Sequence, residues 1–316
     1  MKTSLRTTLG TGAVVAALLA TAACSSTASG ETTVDQADAA TVSITHAQGT
    51  TDVPVNPEKV YTFDLGVLDS LTSLGVDVTG VPEAVYPASL TQYSGEEYTK
   101  IGSMKEPDFE AIAAGDPDLI IISARASEAY GELSEIAPTI DLTVDAADPL
   151  PSFKEHTETL GKIFDKEEEV TAKLTGIDEQ IAAVAAEAPN AGSALILMTS
   201  ATEVTAYGAG SRFGLIHDVL GFPTAADVKS EGPHGEAVSF EFIKEANPAN
   251  IFAIDRDAAF GESTDASAAV LDNELVDSTD AAKNDKIISL DAGSWYLVGY
   301  GLNNLPTMID QVASAL

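Results

Sequence analysis

The chain has 316 residues, of which 49 are acidic and 16 are basic, so its formal net charge is −33 at neutral pH. This excess of negative charge excludes nucleic acid and anionic membranes as partners of the surface as a whole. With 45% hydrophobic residues and a length beyond that of one ordinary domain, the chain predicts two packed domains.

The first 23 residues predict an export signal. Lys2 and Arg6 precede an uncharged run that ends in small residues before Cys24, the single cysteine. Such a run is too short to cross a membrane as a stable helix. LATAAC resembles the lipobox of bacterial lipoproteins, with Thr21 where Leu is usual. The resemblance implies lipidation of Cys24 and a place on the extracytoplasmic face of the cell membrane. The alternative is plain secretion with an unused thiol.

A flexible tether and a run of short strands come next. Residues 24–40 are mostly small and polar, with no aromatic side chain. Alternation then predicts a strand over 41–46, a turn at Gly49 with a second strand after it, and a buried strand over 60–63.

A strand–helix–strand unit follows. Four apolar residues recur at helical spacing, namely Val67, Leu68, Leu71 and Leu74. Gly75 is placed to end that helix, residues 76–81 predict the next strand, and residues 82–103 predict a polar loop. The unit has a counterpart later in the chain, where Leu220 and Gly221 stand in place of Leu74 and Gly75.

One long helix divides the chain. A strand near 140–144 and a helix over 152–164 precede it, and the apolar spacing predicts a single helix from 167 to 188, ended by Pro189. We therefore expect an N-terminal α/β lobe over 41–165, a connecting helix over 166–189 and a C-terminal α/β lobe over 190–316.

The second half repeats the theme of the first. Its predicted elements are strands over 194–200 and 204–210, a helix over 215–222, a polar loop over 261–278, a strand over 286–291 and a closing helix over 304–316. A glycine-flanked segment before the closing helix holds the single tryptophan, Trp295, beside Tyr296.

A duplicated helix-to-strand unit relates the two halves. Residues 108–125 and 239–256 align without a gap, and six positions are identical. These pairs are Phe109 and Phe240, Glu110 and Glu241, Ile112 and Ile243, Pro117 and Pro248, Ile120 and Ile251, and Arg125 and Arg256. In each copy a proline breaks the helix, a buried parallel strand follows, and an arginine stands at its end.

Three arginines remain once the leader is removed. Arg125 and Arg256 close the duplicated strands, and Arg212 lies in the glycine-rich turn YGAGSRFG. Open α/β sheets place ligand-binding groups beyond the carboxyl ends of their strands, which favours a shared anionic ligand. The alternative for each arginine is an ion pair with a neighbour such as Asp255 or Asp257 that holds a loop.

Five stretches resemble a known family, namely residues 63–77, 106–125, 211–222, 234–256 and 281–297. They resemble the class III (helical-backbone) substrate-binding lipoproteins of ABC importers, in the branch that takes ferric catecholate siderophores of the petrobactin and enterobactin type. The resemblance implies an α/β fold of two Rossmann-like lobes joined by one long helix, with the ligand cleft between them. It also implies a monomer without intrinsic cofactor that binds an Fe(III)–siderophore complex and works with an ABC permease and its ATPase.

The resemblance implies roles for individual residues. Arg125, Arg212 and Arg256 form a basic triad that faces the ligand, with Trp295 beside them. His234 and Tyr296 complete the coordination of iron when the siderophore offers four donor atoms. Glu110 and Glu241 dock into basic pockets of the permease. One departure is Glu236, an extra acidic neighbour of His234.

Elementary chemistry supports these roles and leaves alternatives. Guanidinium groups combine permanent charge, a fork of donors and a plane that stacks on rings, while imidazole and phenolate both bind Fe(III). His234 is otherwise a loop residue, and Tyr296 is otherwise packing surface. Hydroxamate siderophores, haem and corrinoids are alternative ligands. No catalytic motif is present, which argues against an enzyme, and the four scattered histidines argue against a receptor for bare metal.

Overall fold

The computed structural model describes residues 40–229, 234–262 and 266–316. The predicted signal peptide, Cys24 and the tether up to residue 39 lie outside the described residues, so these predictions stay predictions. Within the described residues, no helix is both long and apolar enough to cross a membrane.

The first half is built on a parallel sheet. An antiparallel hairpin of β1 (Thr41–His46) and β2 (Gly49–Pro54) precedes β3 (Val60–Thr62), β4 (Gly80–Glu83), β5 (Thr99–Ser103), β6 (Leu119–Ile122) and β7 (Thr139–Asp141). The helices are α1 (Leu65–Ser73), α2 (Phe109–Gly115), α3 (Tyr130–Ser134), α4 (Pro149–Phe164) and α5 (Glu167–Glu187). The spatial order of the sheet is β5-β4-β3-β6-β7, and neighbouring strands are parallel.

The second half is built on a mixed sheet of the same order. Its strands are β8 (Ala194–Ser200), β9 (Glu203–Tyr207), β10 (Glu236–Ala237), β11 (Asn250–Asp255) and β12 (Ile287–Leu290). Its helices are α6 (Phe240–Ala246), α7 (Arg256–Ala259), α8 (Ala266–Leu271), α9 (Glu274–Asp277), α10 (Asp280–Lys283) and α11 (Asn304–Ala313). The spatial order is β10-β9-β8-β11-β12. When the strands of each sheet are numbered along the chain, both sheets have the order 3-2-1-4-5, which supports a duplication.

The duplicated unit has the same local structure in both halves. The side chains of Asp108 and Ser239 accept a hydrogen bond from a first-turn amide of α2 and α6 respectively. Both helices end at a residue in the left-handed conformation, Asp116 at φ 52° and Asn247 at φ 42°, directly before the proline. Strands β6 and β11 follow and are buried along their whole length, as predicted.

The direction of one strand in the second half differs from the prediction. Strand β9 runs antiparallel to β8, to which a tight turn joins it, so the counterpart of the first strand–helix–strand unit is not a parallel unit. The helix predicted over 215–222 is one π-type turn, Leu215–Val219, because Gly221 leaves helical geometry at φ 80°.

Three further boundaries were wrong in part. The strand expected over 76–81 begins at Gly80, because the Val76 amide donates to the Leu71 oxygen (3.0 Å) and closes α1 instead. The polar loop over 82–103 contains a 3₁₀ segment, Ala88–Ser94, and the edge strand β5. The polar loop over 261–278 contains α8 and α9.

A continuous apolar core joins the two halves. It contains side chains of α1, α4 and α5 together with residues of β8, of the segment before α11 and of α11 itself. The long helix expected over 167–188 is present as α5, and α4 and α5 carry the chain from the first sheet to the second. The lobe boundaries, 41–165 and 190–316, stay predictions.

Candidate functional site

Two arginines from different halves donate to one oxygen atom. Arg125 follows β6, and Arg212 lies in the glycine-rich turn after β9. The main-chain oxygen of Tyr296 lies 2.7 Å from Nη2 of Arg125 and 2.9 Å from Nη2 of Arg212. Arg125 also donates to the oxygen of Leu297 at 3.4 Å. The structure brings these two arginines together, and their role toward a ligand stays a prediction.

Arg256 reaches the same tyrosine from a third direction. At the start of α7, its Nε donates to the phenol oxygen of Tyr296 at 3.2 Å and its Nη1 to Oγ of Ser200 at 3.2 Å. A carboxylate oxygen of Asp257 lies 3.5 Å from Nη1. Arg256 is therefore partly neutralised by Asp257, whereas the ion pairs of the described residues include neither Arg125 nor Arg212.

Guanidinium groups and aromatic rings alternate through the site. The Arg212 carbon Cζ lies 4.8 Å from the ring centre of Phe213 and 4.5 Å from that of Tyr296. Cζ of Arg256 lies 5.8 Å from the Tyr296 ring and 5.3 Å from the Phe260 ring. We call the five side chains of Phe213, Arg212, Tyr296, Arg256 and Phe260 the arginine–aromatic stack. Each contact lies within the range of a cation–π interaction.

The charges of the site act on its own titrating groups. Burial lowers the pKa of Arg212, and the positive charge of Arg125 lowers it further, but a guanidinium stays protonated at neutral pH. Burial raises the pKa of the Tyr296 phenol, and the hydrogen bond from Arg256 together with the charges of the three arginines outweighs that effect. The pKa of Tyr296 therefore lies below its ordinary value. A phenol in this setting is closer to the phenolate form, which binds Fe(III).

A buried asparagine holds the turn that carries Tyr296. This turn is of π type and runs over Gly293–Val298. The Nδ2 atom of Asn304 donates to the main-chain oxygens of Ser294 (2.9 Å) and Gly299 (2.7 Å). Trp295 is 2% exposed, and its indole donates to Gln311 at 2.9 Å. The predicted ligand contact of Trp295 is not supported by this position, because the ring lies in the core.

An aspartate of the first half holds the same region across the boundary. Asp69 of α1 is 1% exposed, and its Oδ2 accepts from the amides of Asn303 (2.8 Å) and Asn304 (3.0 Å) at the start of α11. Oγ of Ser70 accepts from the Leu302 amide at 3.2 Å. Burial raises the pKa of Asp69 against the effect of these hydrogen bonds. We call this group of contacts the Asp69 clamp.

His234 lies at the surface, two residues before β10. Its side chain is exposed, and the contacts of Tyr296 given above do not include it. The neighbouring Glu236 accepts a hydrogen bond from the Lys229 amide at 2.9 Å. The carboxylate expected to influence His234 is thus engaged by the main chain. Iron coordination by His234 and Tyr296 stays a prediction, because the contacts of Tyr296 described above do not bring the two side chains together.

Glu110 and Glu241 occupy equivalent places on the two copies of the repeated unit. Each lies in the first turn of its short helix, α2 or α6, and each is exposed. Hydrogen bonds from its own main-chain amide and from Ser239 lower the pKa of Glu241. These carboxylates therefore present matching negative charges, and their docking role stays a prediction.

Sequence reasoning missed several members of the site. Ser200, Phe213 and Phe260 contact the arginines but were not proposed from the sequence. Asp257 was named from the sequence as an alternative ion-pair partner, and it lies beside Arg256. Phe260 lies four residues after Arg256, and this spacing, one helical turn, was an available signal. The described residues contain no group of three or more His, Cys, Asp or Glu side chains placed to hold a metal ion.

A family model described as "Periplasmic binding protein" matches residues 60–293, most of the chain and all three arginines. The chain belongs to the periplasmic binding protein family. The predicted family and α/β fold class are thereby confirmed, as is the prediction of a binding protein and not an enzyme.

This periplasmic binding protein resembles two curated relatives along most of its length. It is 46% identical over 269 residues to the petrobactin-binding protein YclQ of Bacillus subtilis (strain 168), covering 84% of each chain. It is 31% identical over 275 residues to the ferric-anguibactin-binding protein FatB of Vibrio anguillarum, covering 85% of each chain.

Solved structures agree with this comparison. The crystal structure of YclQ superposes with a TM-score of 0.84 at 44% identity, covering 87% of this periplasmic binding protein and 98% of YclQ. The catecholate-siderophore binding protein VctP of Vibrio cholerae superposes with a TM-score of 0.82 at 34% identity, covering 87% and 100% of the two chains.

Proposed function

We propose that the protein captures a ferric siderophore of the catecholate type and delivers it to an ABC importer. The observation that carries this proposal is the convergence of Arg125, Arg212 and Arg256 on Tyr296. The names of YclQ and VctP, which specify petrobactin and a catecholate siderophore, support the same ligand class.

The chemistry of the site fits such a ligand. A ferric catecholate is an anion that carries aromatic rings, and a guanidinium offers both a fork of N–H donors and a stacking plane. Because the net charge of the protein is −33, a local cluster of three arginines opposes the field of the rest of the surface. The cluster therefore provides a specific place for an anion on an otherwise repelling molecule.

A direct bond from protein to iron is the finer part of the proposal. When a siderophore supplies four donor atoms, two coordination positions of octahedral iron are open, and we assign them to His234 and Tyr296. The lowered pKa of Tyr296 supports this assignment, because the ligand form of tyrosine is the phenolate. The exposed position of His234 leaves its imidazole accessible to a ligand.

Delivery requires a partner and a place. We assign Glu110 and Glu241 to docking on basic pockets of the permease, which works with its ATPase, and Cys24 to a lipid anchor on the extracytoplasmic face of the membrane. Glu241 borders a surface groove that Glu203 also lines, and this supports a basic partner by charge complementarity. One protein molecule, with one glutamate on each half, is the docking unit.

A titration with a panel of ferric chelates tests the function. The purified protein is titrated with ferric complexes of catecholate, hydroxamate and citrate type, and with haem, while the emission of Trp295 is followed. Trp295 is adjacent to Tyr296 in the chain and is the single tryptophan, so its emission reports the site. Saturable quenching by the catecholates supports the proposal. Quenching by hydroxamates or haem alone would contradict it.

A further inference from the structure

The arginine–aromatic stack has one buried end and one exposed end. Phe213 closes the inner end and is 1% exposed, whereas Phe260 stands at the outer end and is 37% exposed. Few large apolar side chains of the described residues are exposed, and Phe260 is one that also contacts the binding-site groups Tyr296 and Arg256. Part of its ring is therefore available to a ligand at the edge of the site.

Contacts on the inner side fix the orientation of this ring. The ring centres of Phe260 and Tyr296 lie 5.7 Å apart at an interplanar angle of 72°, an edge-to-face arrangement. Cζ of Arg256 lies 5.3 Å from the Phe260 ring centre. Phe260 thus borders directly on two groups of the proposed binding site, and part of its surface stays open to solvent.

The exposed ring of Phe260 can distinguish aromatic ligands from other anions. A guanidinium attracts any anion, so the three arginines alone do not distinguish a ferric catecholate from a ferric citrate complex, which is also anionic. An aromatic surface gains contact energy with another aromatic ring beyond simple burial of area. Catecholates carry such rings around the iron, whereas citrate and aliphatic hydroxamates do not.

We propose that Phe260 is a specificity residue that selects aromatic iron chelates by stacking with a catechol ring at the outer end of the arginine–aromatic stack. This inference rests on the proposed function and deepens it, because it assigns the choice of ligand class to one side chain. Arg125, Arg212 and Arg256 supply attraction to charge, and Phe260 supplies the preference for rings.

Substitution of Phe260 by leucine tests the assignment. Phe260→Leu keeps an apolar side chain and removes the ring, and because the position is exposed the variant should be as stable as wild type. The probes are the ferric complex of a linear bis-(2,3-dihydroxybenzoyl) diamine and ferric citrate, an anionic complex without aromatic rings. Dissociation constants are measured by titration of wild type, Phe260→Leu and Phe260→Tyr.

A matched control is available in the same chain. Phe109 is 36% exposed, so Phe109→Leu makes the same chemical change at nearly the same exposure, on helix α2 of the first half. We expect Phe260→Leu to weaken catecholate binding by about 3- to 10-fold, the range of an aromatic pair. Its binding of ferric citrate should not change, Phe260→Tyr should restore catecholate binding, and Phe109→Leu should match wild type.

The outcomes separate this inference from the proposed function. Tight catecholate binding by wild type with no loss in Phe260→Leu would remove the inference and leave the proposed function standing. Equal losses for both probes would also overturn it, since the residue would then act only through the position of Arg256. Wild-type protein that binds ferric citrate and not the catecholate would overturn the proposed function itself.

Discussion

Arg125 and Arg212 donate to the same main-chain oxygen, that of Tyr296, at 2.7 and 2.9 Å, although they belong to different halves of the chain. The two positive charges can lie close together because both guanidinium groups donate to the same carbonyl oxygen, which is the negative end of its dipole. Each guanidinium has five N–H donors, and these contacts use few of them. The pair therefore retains donors for an anionic ligand while its own geometry is fixed.

Removal of any triad arginine should weaken binding of a ferric catecholate. Arg125→Ala, Arg212→Ala and Arg256→Ala should each cost about 1–3 kcal/mol, the range for charge-assisted hydrogen bonds. The corresponding lysine variants should recover little, because the fork and the stacking plane are lost. Tryptophan-emission titration measures the effect. Lys154→Ala, which removes a positive charge on α4 that pairs with Asp178, is the control for net charge. Unchanged affinity in two of the three variants would contradict the triad.

The Tyr296 phenol should be visible in the spectrum of the complex. With a four-donor ferric catecholate, phenolate coordination adds a charge-transfer contribution in the visible range, and Tyr296→Phe should abolish it. The variant keeps the main-chain oxygen that holds Arg125 and Arg212, so the loss reports the hydroxyl alone. Tyr130→Phe is the control, since that ring contacts His46 in the first half. A spectrum that does not change in Tyr296→Phe would assign the phenol to hydrogen bonding with Arg256 alone.

His234 should matter for some ligands and not for others. A four-donor chelate leaves open positions on iron, so His234→Ala should weaken its binding, whereas a six-donor catecholate fills all positions and should be insensitive. Equilibrium titration of the variant with both chelates gives the comparison. Parallel losses for the two chelates would show that His234 shapes the pocket and does not bind the metal.

Glu110 and Glu241 should be needed for transport but not for ligand binding. The double variant Glu110→Ala with Glu241→Ala should bind the ferric siderophore with wild-type affinity, because both residues are exposed on α2 and α6. Uptake of radiolabelled iron by cells that carry it should fall to background. A double variant of two exposed glutamates on α5, Glu168→Ala with Glu179→Ala, controls for loss of surface charge. Loss of affinity in the purified docking variant would place these residues in the site or the fold.

The Asp69 clamp should make stability depend on pH. Since burial raises the pKa of Asp69 in the folded state, folded protein binds more protons than unfolded protein at pH values between the ordinary carboxyl pKa, about 4, and the raised one. The contribution of Asp69 to stability therefore decreases as pH rises through that window. Asp69→Asn keeps an oxygen that accepts from the amides of Asn303 and Asn304 and should remove this dependence.

Urea unfolding at a series of pH values checks the Asp69 prediction. The free energy of unfolding of wild type minus that of Asp69→Asn should decline with pH through the window and then level off. Asp69→Ala should be less stable than both at every pH, by about 1–3 kcal/mol for each buried amide left without an acceptor. A difference between wild type and Asp69→Asn that stays constant with pH would contradict the raised pKa.

Local sequence patterns were enough to predict most of the helices and strands. The repeated unit was recognisable because proline and arginine recur at the same offsets, and the structure gives both copies a short helix followed by a buried strand. The reversal of β9 was not predictable, because its apolar residues alternate in the same way whichever direction the strand takes. Helix α9 has four residues, which is too few to show a helical pattern of apolar residues in the sequence. It depends on the cap from Asn273 and on the burial of Val276.

The candidate site was predictable in part for a similar reason. The positions of Arg125 and Arg256 after strands pointed to ligand binding, since open α/β sheets bind ligands beyond the carboxyl ends of their strands. The two strands belong to different sheets, so the approach of their arginines to one tyrosine was not predictable. The acceptor that joins Arg125 to Arg212 is a main-chain oxygen, which every residue has, so the sequence could not single it out. The burial of Trp295 depends on Gln311, a partner in another element.

The Asp69 clamp gives the two halves a second point of attachment. The chain itself joins them through α4 and α5, and the clamp joins α1 to the start of α11 without a covalent bond. With both connections in place, the two halves cannot rotate apart about α4 and α5 unless the Asp69 clamp breaks. The entropic cost of bringing Arg125 beside Arg212 is therefore incurred during folding, and a ligand meets a preorganised pair of charges on arrival.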